Sequence, residues 1–402
     1  MSGQQGRLST GGLGSRRRIC YYTRSAEPSG MGRHMLELMA AFADVCDLSI
    51  LCRTSERVRW LFDSAAELGA RTVPLPSPHD PMYATVIADF LSSHQVDLFH
   101  GHAGWGWEDP DGFRVARRVG VPAIVLTHHL PFLLHNPSKA RRLLEATKAV
   151  DRRIAVSDGL RRTYERIGVP HERFTTVPNG VRARGPSFGR LTARQALGLD
   201  ADQPVVMTAG RLVKMKGHRH LVEATPQLAS RFPGLTVIIL GRGNVHDQLV
   251  RQADDLGVGQ VVRIVGHRPD ARLLLDAADV FVLPSLTEGM PLAAMEAMDA
   301  ALPVVATSVI GTDEVVVQNK TGLLVPPRDS GALADALTQL LADRDVRTAY
   351  GRAGRARYLE EFTVEHMVAR TAEVYRQVLG FPPLTRGGAT SPTTEPLPVA
   401  AP

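Results

Sequence analysis

Short apolar runs rich in β-branched residues alternate with stretches of helical periodicity through the first 180 residues, and the alternation begins again after residue 203. In the first half the runs are RICYYT (18–23), CDLSILC (46–52), DLFHGH (97–102), AIVLTHH (123–129), RIAVS (153–157) and FTTVPN (174–179). Helical patterns such as 32–44 and 83–94 separate them. Strands buried on both faces and separated by helices make a parallel sheet with helices on either side. The second series is PVVMTAG (204–210), LTVIILG (235–241), VVRIVG (261–266), VFVLPS (280–285), PVVAT (303–307) and GLLVPP (322–327). Between the two lies RARGPSFGR (182–190), a Gly/Pro/Arg segment of linker character. The fold expected is therefore α/β: two Rossmann-like, doubly wound parallel-sheet domains in tandem, with strand C-terminal ends turned toward one cleft. The boundaries expected are a tail at 1–17, domains at 18–185 and 186–362, a helix at 363–380 able to pack on either domain, and a Pro/Thr-rich tail at 381–402.

A chain of 402 residues with 44% apolar content can fill two cores. Cys20, Cys46 and Cys52 are odd in number and have no metal-like spacing, which fits a reducing, cytoplasmic compartment. No run of eighteen apolar residues is present, and the polar N-terminus has no apolar segment of the secretory kind. The net charge of +6 comes without a recognition-helix pattern, a zinc pattern or an aromatic-interleaved basic run, which speaks against nucleic acid as partner. KARRLLEATKAVDRR (139–153) reads as one basic helix, so peripheral contact with an anionic membrane stays open beside a solvated face.

Chemistry concentrates in a few loops. LPSLTEGMPLAAMEAMDAALPVVAT (283–307) runs strand, loop, helix start and strand, and sets Glu288 and Glu296 on either side of seven residues. A helix N-terminus holds phosphate, and carboxylates suit sugar hydroxyls. Together these suggest a nucleotide-sugar pocket in which amides meet diphosphate and carboxylates meet hydroxyls. AGRLVKMKG (209–217) ends a strand at Gly210 and then supplies Arg211, Lys214 and Lys216, two of only five lysines in the chain. Both cation types stabilise a diphosphate leaving group, and Lys216 beside Gly217 is the better placed lysine. LGRGNVHDQL (240–249) ends a strand with Gly241 and Gly243 but lacks the full dinucleotide fingerprint, so NAD is not indicated. SGMGRHM (29–35) reads as a glycine loop opening the first helix.

Four histidines, His100, His102, His128 and His129, follow two neighbouring strands. No carboxylate or cysteine completes a zinc site at the usual spacing, so hydrogen bonding to a sugar is the preferred reading. EDPD (108–111) looks like an Asp-x-Asp metal motif, but it sits in a Gly/Trp loop and is read as a surface or acceptor-contacting loop.

These motifs, in this order, resemble the retaining glycosyltransferases of family 4, which have the GT-B fold. The resemblance covers about 18–379. It is most specific in GRLVKMKG, the G-x-G strand end, ADVFVLPSLTEGMPLAAMEAM (278–298) and KTGLLVPP (320–327), and softer in DLFHGH, LTHH, AVSDGLR and VPNGV. It implies that Arg211 and Lys216 neutralise the donor diphosphate, beside Gly210 and Gly241 at the strand ends. It implies that Glu296 binds ribose hydroxyls, and that Glu288 with Gly289, Met290, Pro291 and Leu292 faces the transferred sugar and phosphates. Backbone near His267 and Arg268 meets the base, and Gly30 and Gly32 border the diphosphate. His129, with His102, contacts sugar or acceptor. Arg211, Lys216, Glu288 and His129 are the implied catalytic set. Arg182 stands where the family often has Asp, a departure assigned to the linker.

The partners implied are a nucleotide-sugar, UDP favoured over GDP, and a hydroxyl-bearing acceptor; no metal and no cofactor is required. The activity expected is retaining transfer of a hexosyl or N-acetylhexosaminyl group to a small natural product such as an aminoglycoside precursor. A lipid-linked glycan or cell-surface polysaccharide is the alternative acceptor. A nucleotide-sugar epimerase on the same fold, a phosphorylase and a non-catalytic sensor are the rivals from other classes.

Overall fold

The computed structural model describes residues 16–380, apart from 26, 28, 105–110, 134, 135 and 186. Residues 1–15 of the first expected tail, the whole of the second, and EDPD except for Asp111 lie outside the described residues, while Arg17 of the first tail already belongs to the first strand. The first sheet has seven parallel strands in the order β3-β2-β1-β4-β5-β6-β7. They are β1 (Arg17–Thr23), β2 (Cys46–Arg53), β3 (Arg71–Leu75), β4 (Leu98–Ala103), β5 (Ala123–His128), β6 (Arg152–Ala155) and β7 (Phe174–Thr176). The second has six, in the order β10-β9-β8-β11-β12-β13. They are β8 (Val205–Ala209), β9 (Thr236–Leu240), β10 (Val262–Gly266), β11 (Val280–Leu283), β12 (Val304–Thr307) and β13 (Gly322–Val325). Each order reverses direction beside its first strand, and such switch points leave a crevice at the strand C-terminal ends.

β3 was not expected. RTVPL carries a proline and is half-exposed at the sheet edge, so it lacks the apolar run of a central strand. The basic segment 139–153 is not one helix. The helix is Pro137–Ala146, and Arg153 belongs to β6, where it is buried and donates to the Thr147 carbonyl. Burial of the apolar strand overrides the helical charge pattern here, so the membrane-facing reading of the whole segment falls. The glycine loop is also shorter than expected: the first helix is Ser29–Phe42, with Gly30 and Gly32 inside its opening turns.

The last helix, Val364–Leu379, lies against the first sheet's layer. Met367, Val368, Val374 and Tyr375 share a core with Met35, Phe42 and Ile19, and the Tyr375 hydroxyl meets Nδ1 of His100 at 2.6 Å. Val181 N–H donates to the Phe362 carbonyl, and a Cβ at Gly180 would lie 2.6 Å from the Thr363 carbonyl oxygen. The chain thus crosses between the sheets twice, side by side, with glycine allowing the close approach. The 182–190 segment is tied down: Arg184 pairs with Asp276, its N–H donates to Asp299, and Arg182 pairs with Glu37.

Candidate functional site

β8 ends at Ala209 and β9 at Leu240, side by side, and the glycines after them serve this packing. A Cβ on Gly241, whose φ is +147°, would sit 1.9 Å from the Gly210 carbonyl oxygen, and one on Gly243 would sit 2.2 Å from that of Leu212. The G-x-G is therefore a backbone-to-backbone contact that shapes the loop carrying Arg211. Gly217 caps the short turn 214–216 at φ +65°, and a Cβ there would lie 1.9 Å from the Pro284 carbonyl oxygen. That contact docks the lysine loop on the end of β11, where Leu286 N–H donates to the Met215 carbonyl.

The result is a charged network. Lys216 Nζ donates to Glu288 Oε1 at 2.6 Å, and Ser285 Oγ donates to the same oxygen at 2.6 Å. Glu288 is 4% exposed. Burial lowers the Arg211 pKa and the Glu288 charge raises it; its guanidinium also faces Glu27 of the first unit at 3.6 Å. Lys214 is exposed to solvent. Met290 and Pro291 are buried ahead of the helix Leu292–Asp299; proline has no N–H, so only the flanking amides can face an anion.

Glu296, one turn further on, meets Arg33 Nη1 of the first helix at 3.2 Å and Arg272 Nε at 3.8 Å. His267 follows β10, and its pKa is lowered by partial burial and by Arg242 and Arg33. Arg33 thus links the His267 and Glu296 regions. The Arg268 side chain is held bidentately by Asp270, at 2.8 and 2.7 Å. Gly30 abuts Leu292: a Cβ on it would lie 3.4 Å from Cδ1. Gly32 is buried in the first helix.

The two units touch where these loops meet. A Cβ on Gly289 would lie 1.9 Å from the His129 carbonyl oxygen. Ser157 Oγ donates to the Gly289 carbonyl at 2.7 Å, and Asn179 Nδ2 donates to the Met290 carbonyl at 2.9 Å. Glu314 accepts from the N–H groups of Asp158 and Gly159 at 2.8 and 2.6 Å, a carboxylate from the second unit on a helix N-terminus of the first. Asn179 and His34 were both legible, within VPNGV and SGMGRH, without a role being readable for either; Glu314 carries no local signal.

On the first unit, His102 and His129 lie together, with Nδ1 and Nε2 3.1 Å apart. The third member of the group is His34, one helical turn past Gly30, and not His100 or His128. His100 is bonded to Tyr375 and Thr127, and His128 faces Arg153. His34 stands 68 positions before His102 (102 − 34), so its place beside the strand-end histidines shows only in three dimensions.

His218 supports the phosphate-side loop, its Nε2 on the Arg211 carbonyl at 3.2 Å. Burial, together with Lys216, lowers its pKa to about 4 from 6.5 despite that hydrogen bond. A histidine whose folded pKa is depressed stabilises the fold fully above its unfolded value, and the contribution is lost as pH falls from 6.5 toward about 4. Melting temperature is expected to drop across that window, and His218→Gln to flatten the slope. A slope unchanged in the variant would contradict this account.

Comparison with known proteins follows the same division. Residues 189–357 match the family described as Glycosyl transferases group 1, and residues 28–184 match Glycosyltransferase Family 4. The chain is 31% identical to an alpha-maltose-1-phosphate synthase of Mycolicibacterium smegmatis over 90% of its own length and 99% of that protein's. It is 32% identical to a D-inositol 3-phosphate glycosyltransferase of Corynebacterium urealyticum, over 77% and 78% of the two chains. Anabaena HepE, solved in complex with UDP, superposes with a TM-score of 0.78 at 20% identity over 90% of this chain and all of that one; at that identity the likeness speaks for the fold alone.

Proposed function

Since the chain belongs to the group 1, family 4 glycosyltransferases, is a hexosyltransferase and has the GT-B fold, we propose that it moves a hexosyl group from a UDP-sugar to a hydroxyl of a small soluble acceptor, with retention at the anomeric carbon. The observation that carries this reading is the network Lys216–Glu288–Ser285 beside Arg211, set against Gly289 and His129. It sets fixed positive charge and a buried carboxylate beside a seam where the second unit meets the His129 backbone of the first.

Arg211 and Lys216 stabilise the charge that grows on the departing diphosphate, and Glu288 holds the ammonium in place. Glu296 takes the ribose hydroxyls, exchanging its Arg33 contact for them. The acceptor oxygen forms its bond to the anomeric carbon on the face from which the phosphate oxygen leaves, and that phosphate oxygen receives the acceptor's proton. No enzyme carboxylate becomes a nucleophile and no metal takes part. Contacts between the units exclude water and align acceptor with donor. The names of the two relatives, a maltose 1-phosphate synthase and an inositol 3-phosphate glycosyltransferase, support an acceptor of sugar or polyol size and favour one bearing phosphate over an aminoglycoside precursor. Among the described residues no helix is long and apolar enough to cross a membrane. Cys20, Cys46 and Cys52 are buried free thiols, which supports action in the reducing cytoplasm.

Thermal shift with UDP-, GDP- and dTDP-sugars tests the donor. UDP-sugars are expected to raise the melting temperature selectively, and Glu296→Ala is expected to lose most of that shift. Absence of any nucleotide shift in the folded wild type would sink the transferase reading. Donor consumed without dependence on an acceptor would instead favour the epimerase.

A further inference from the structure

The ligand nitrogens of His34, His102 and His129 all lie within 4.8 Å of one another. They arrive from three elements, the first helix, β4 and the residue after β5. Their orientation is set by the surroundings. The Met290 carbonyl can only accept, so the Asn179 amide nitrogen faces it and Asn179 Oδ1 faces His34 Nδ1 at 3.0 Å. That oxygen can only accept, so His34 carries its proton on Nδ1 and keeps a lone pair on Nε2. A ligating imidazole is held in just this way, by a hydrogen bond to its other nitrogen.

His102 Nδ1 and His129 Nε2 stand 3.1 Å apart. Two nitrogens bound to one tetrahedral zinc, at about 2.0–2.1 Å each, lie roughly 3.3–3.4 Å apart. Tyr21 stacks on His102 with ring centroids 6.0 Å apart, and the His34 and His129 rings meet edge-on at 4.8 Å. His34 and His102 are buried and His129 is half-buried, its backbone carbonyl facing Gly289 of the second unit.

We propose that His34, His102 and His129 form a binding site for one divalent transition cation of the zinc class, with its remaining coordination position open toward the cleft. An all-imidazole set selects zinc, cobalt, nickel or copper over magnesium and calcium, which need oxygen ligands. Resting on the function proposed above, a further consequence is inhibition: the cation takes the His129 nitrogen that would otherwise meet the sugar, so metal and nucleotide-sugar exclude each other.

Cobalt(II) titrated into the full chain, free of any affinity tag and without nucleotide, gives a direct readout. One equivalent is expected to bind with the visible absorption of a tetrahedral site, and zinc is expected to displace it. His34→Gln and His102→Gln, each shown to be folded, are expected to weaken binding by at least about 100-fold, while the surface variant His246→Gln keeps it. Absence of stoichiometric binding, or binding unchanged in a folded His34→Gln, overturns the site. Should both variants fail to fold, ring ¹⁵N shifts of the wild type on zinc addition decide: changes at these three histidines support the site, and changes confined to others overturn it. Zinc that binds but leaves transfer unaffected overturns the inhibition. The titration contains neither donor nor acceptor, so its failure leaves the transferase reading standing, and the absence of nucleotide shifts leaves the metal site standing.

Discussion

Lys216→Ala is expected to lower turnover by roughly 30- to 900-fold, which corresponds to about 2–4 kcal/mol of lost transition-state stabilisation. The ammonium is fixed by its bond to Glu288, and Gly217 docks the whole turn on the end of β11. No reorganisation is then needed when charge develops on the leaving phosphate. The same substitution leaves Glu288 buried, with Ser285 as its remaining hydrogen-bond donor, and an uncompensated buried carboxylate is itself destabilising. The two effects separate in Lys216→Ala combined with Glu288→Gln: the neutral amide is expected to restore thermal stability while turnover stays low. A folded Lys216→Ala with kcat close to wild type would falsify the leaving-group role.

Gly289→Ala is expected to reduce transfer by at least about 100-fold, the scale of a misplacement near 1 Å at the reacting centre. The added methyl would lie 1.9 Å from the His129 carbonyl oxygen and 3.2 Å from Leu160 Cδ1, so one unit must back away from the other. Backing away stretches the Ser157–Gly289 and Asn179–Met290 bonds and the Glu314 contact with the helix at 158–165. The core shared around Leu160 and Met290 loosens, but the core around Phe99 lies within the first unit and that around Val237 within the second, so UDP is expected still to raise the melting temperature while the radius of gyration from small-angle scattering grows. Near-wild-type transfer by Gly289→Ala would show that this close contact is not needed for turnover.

Much of the fold was legible because each strand except β3 falls in a short apolar run bounded by turn residues, information held within a window of a few residues. β3 was missed because an edge strand with a proline carries no such run. The basic 139–153 segment misled because two elements share one charge pattern, and the burial of Arg153 shows only in three dimensions. The cationic loop 209–217 and the two-glutamate block were legible for the same local reason, since a strand end, a glycine and a cluster of charge are adjacent in the chain.

What the sequence by itself determined, then, was the pair of parallel sheets, the loops at their strand ends and the chemical types those loops offer. What only the tertiary structure decided was which groups face each other: Lys216 on Glu288, Arg33 on Glu296, Glu314 on the helix at 158–165, and His34 joining His102 and His129 under the hold of Asn179. Those partners are separated by between 68 and 263 residues for the His34–His102 and Arg33–Glu296 pairs (102 − 34 and 296 − 33). Hydrophobic periodicity is read over one turn or one strand. Pairing across the cleft depends on how the two units pack on the core they share around Leu160, Phe281 and Met290, and on the close backbone contact at Gly289, which no local pattern announces.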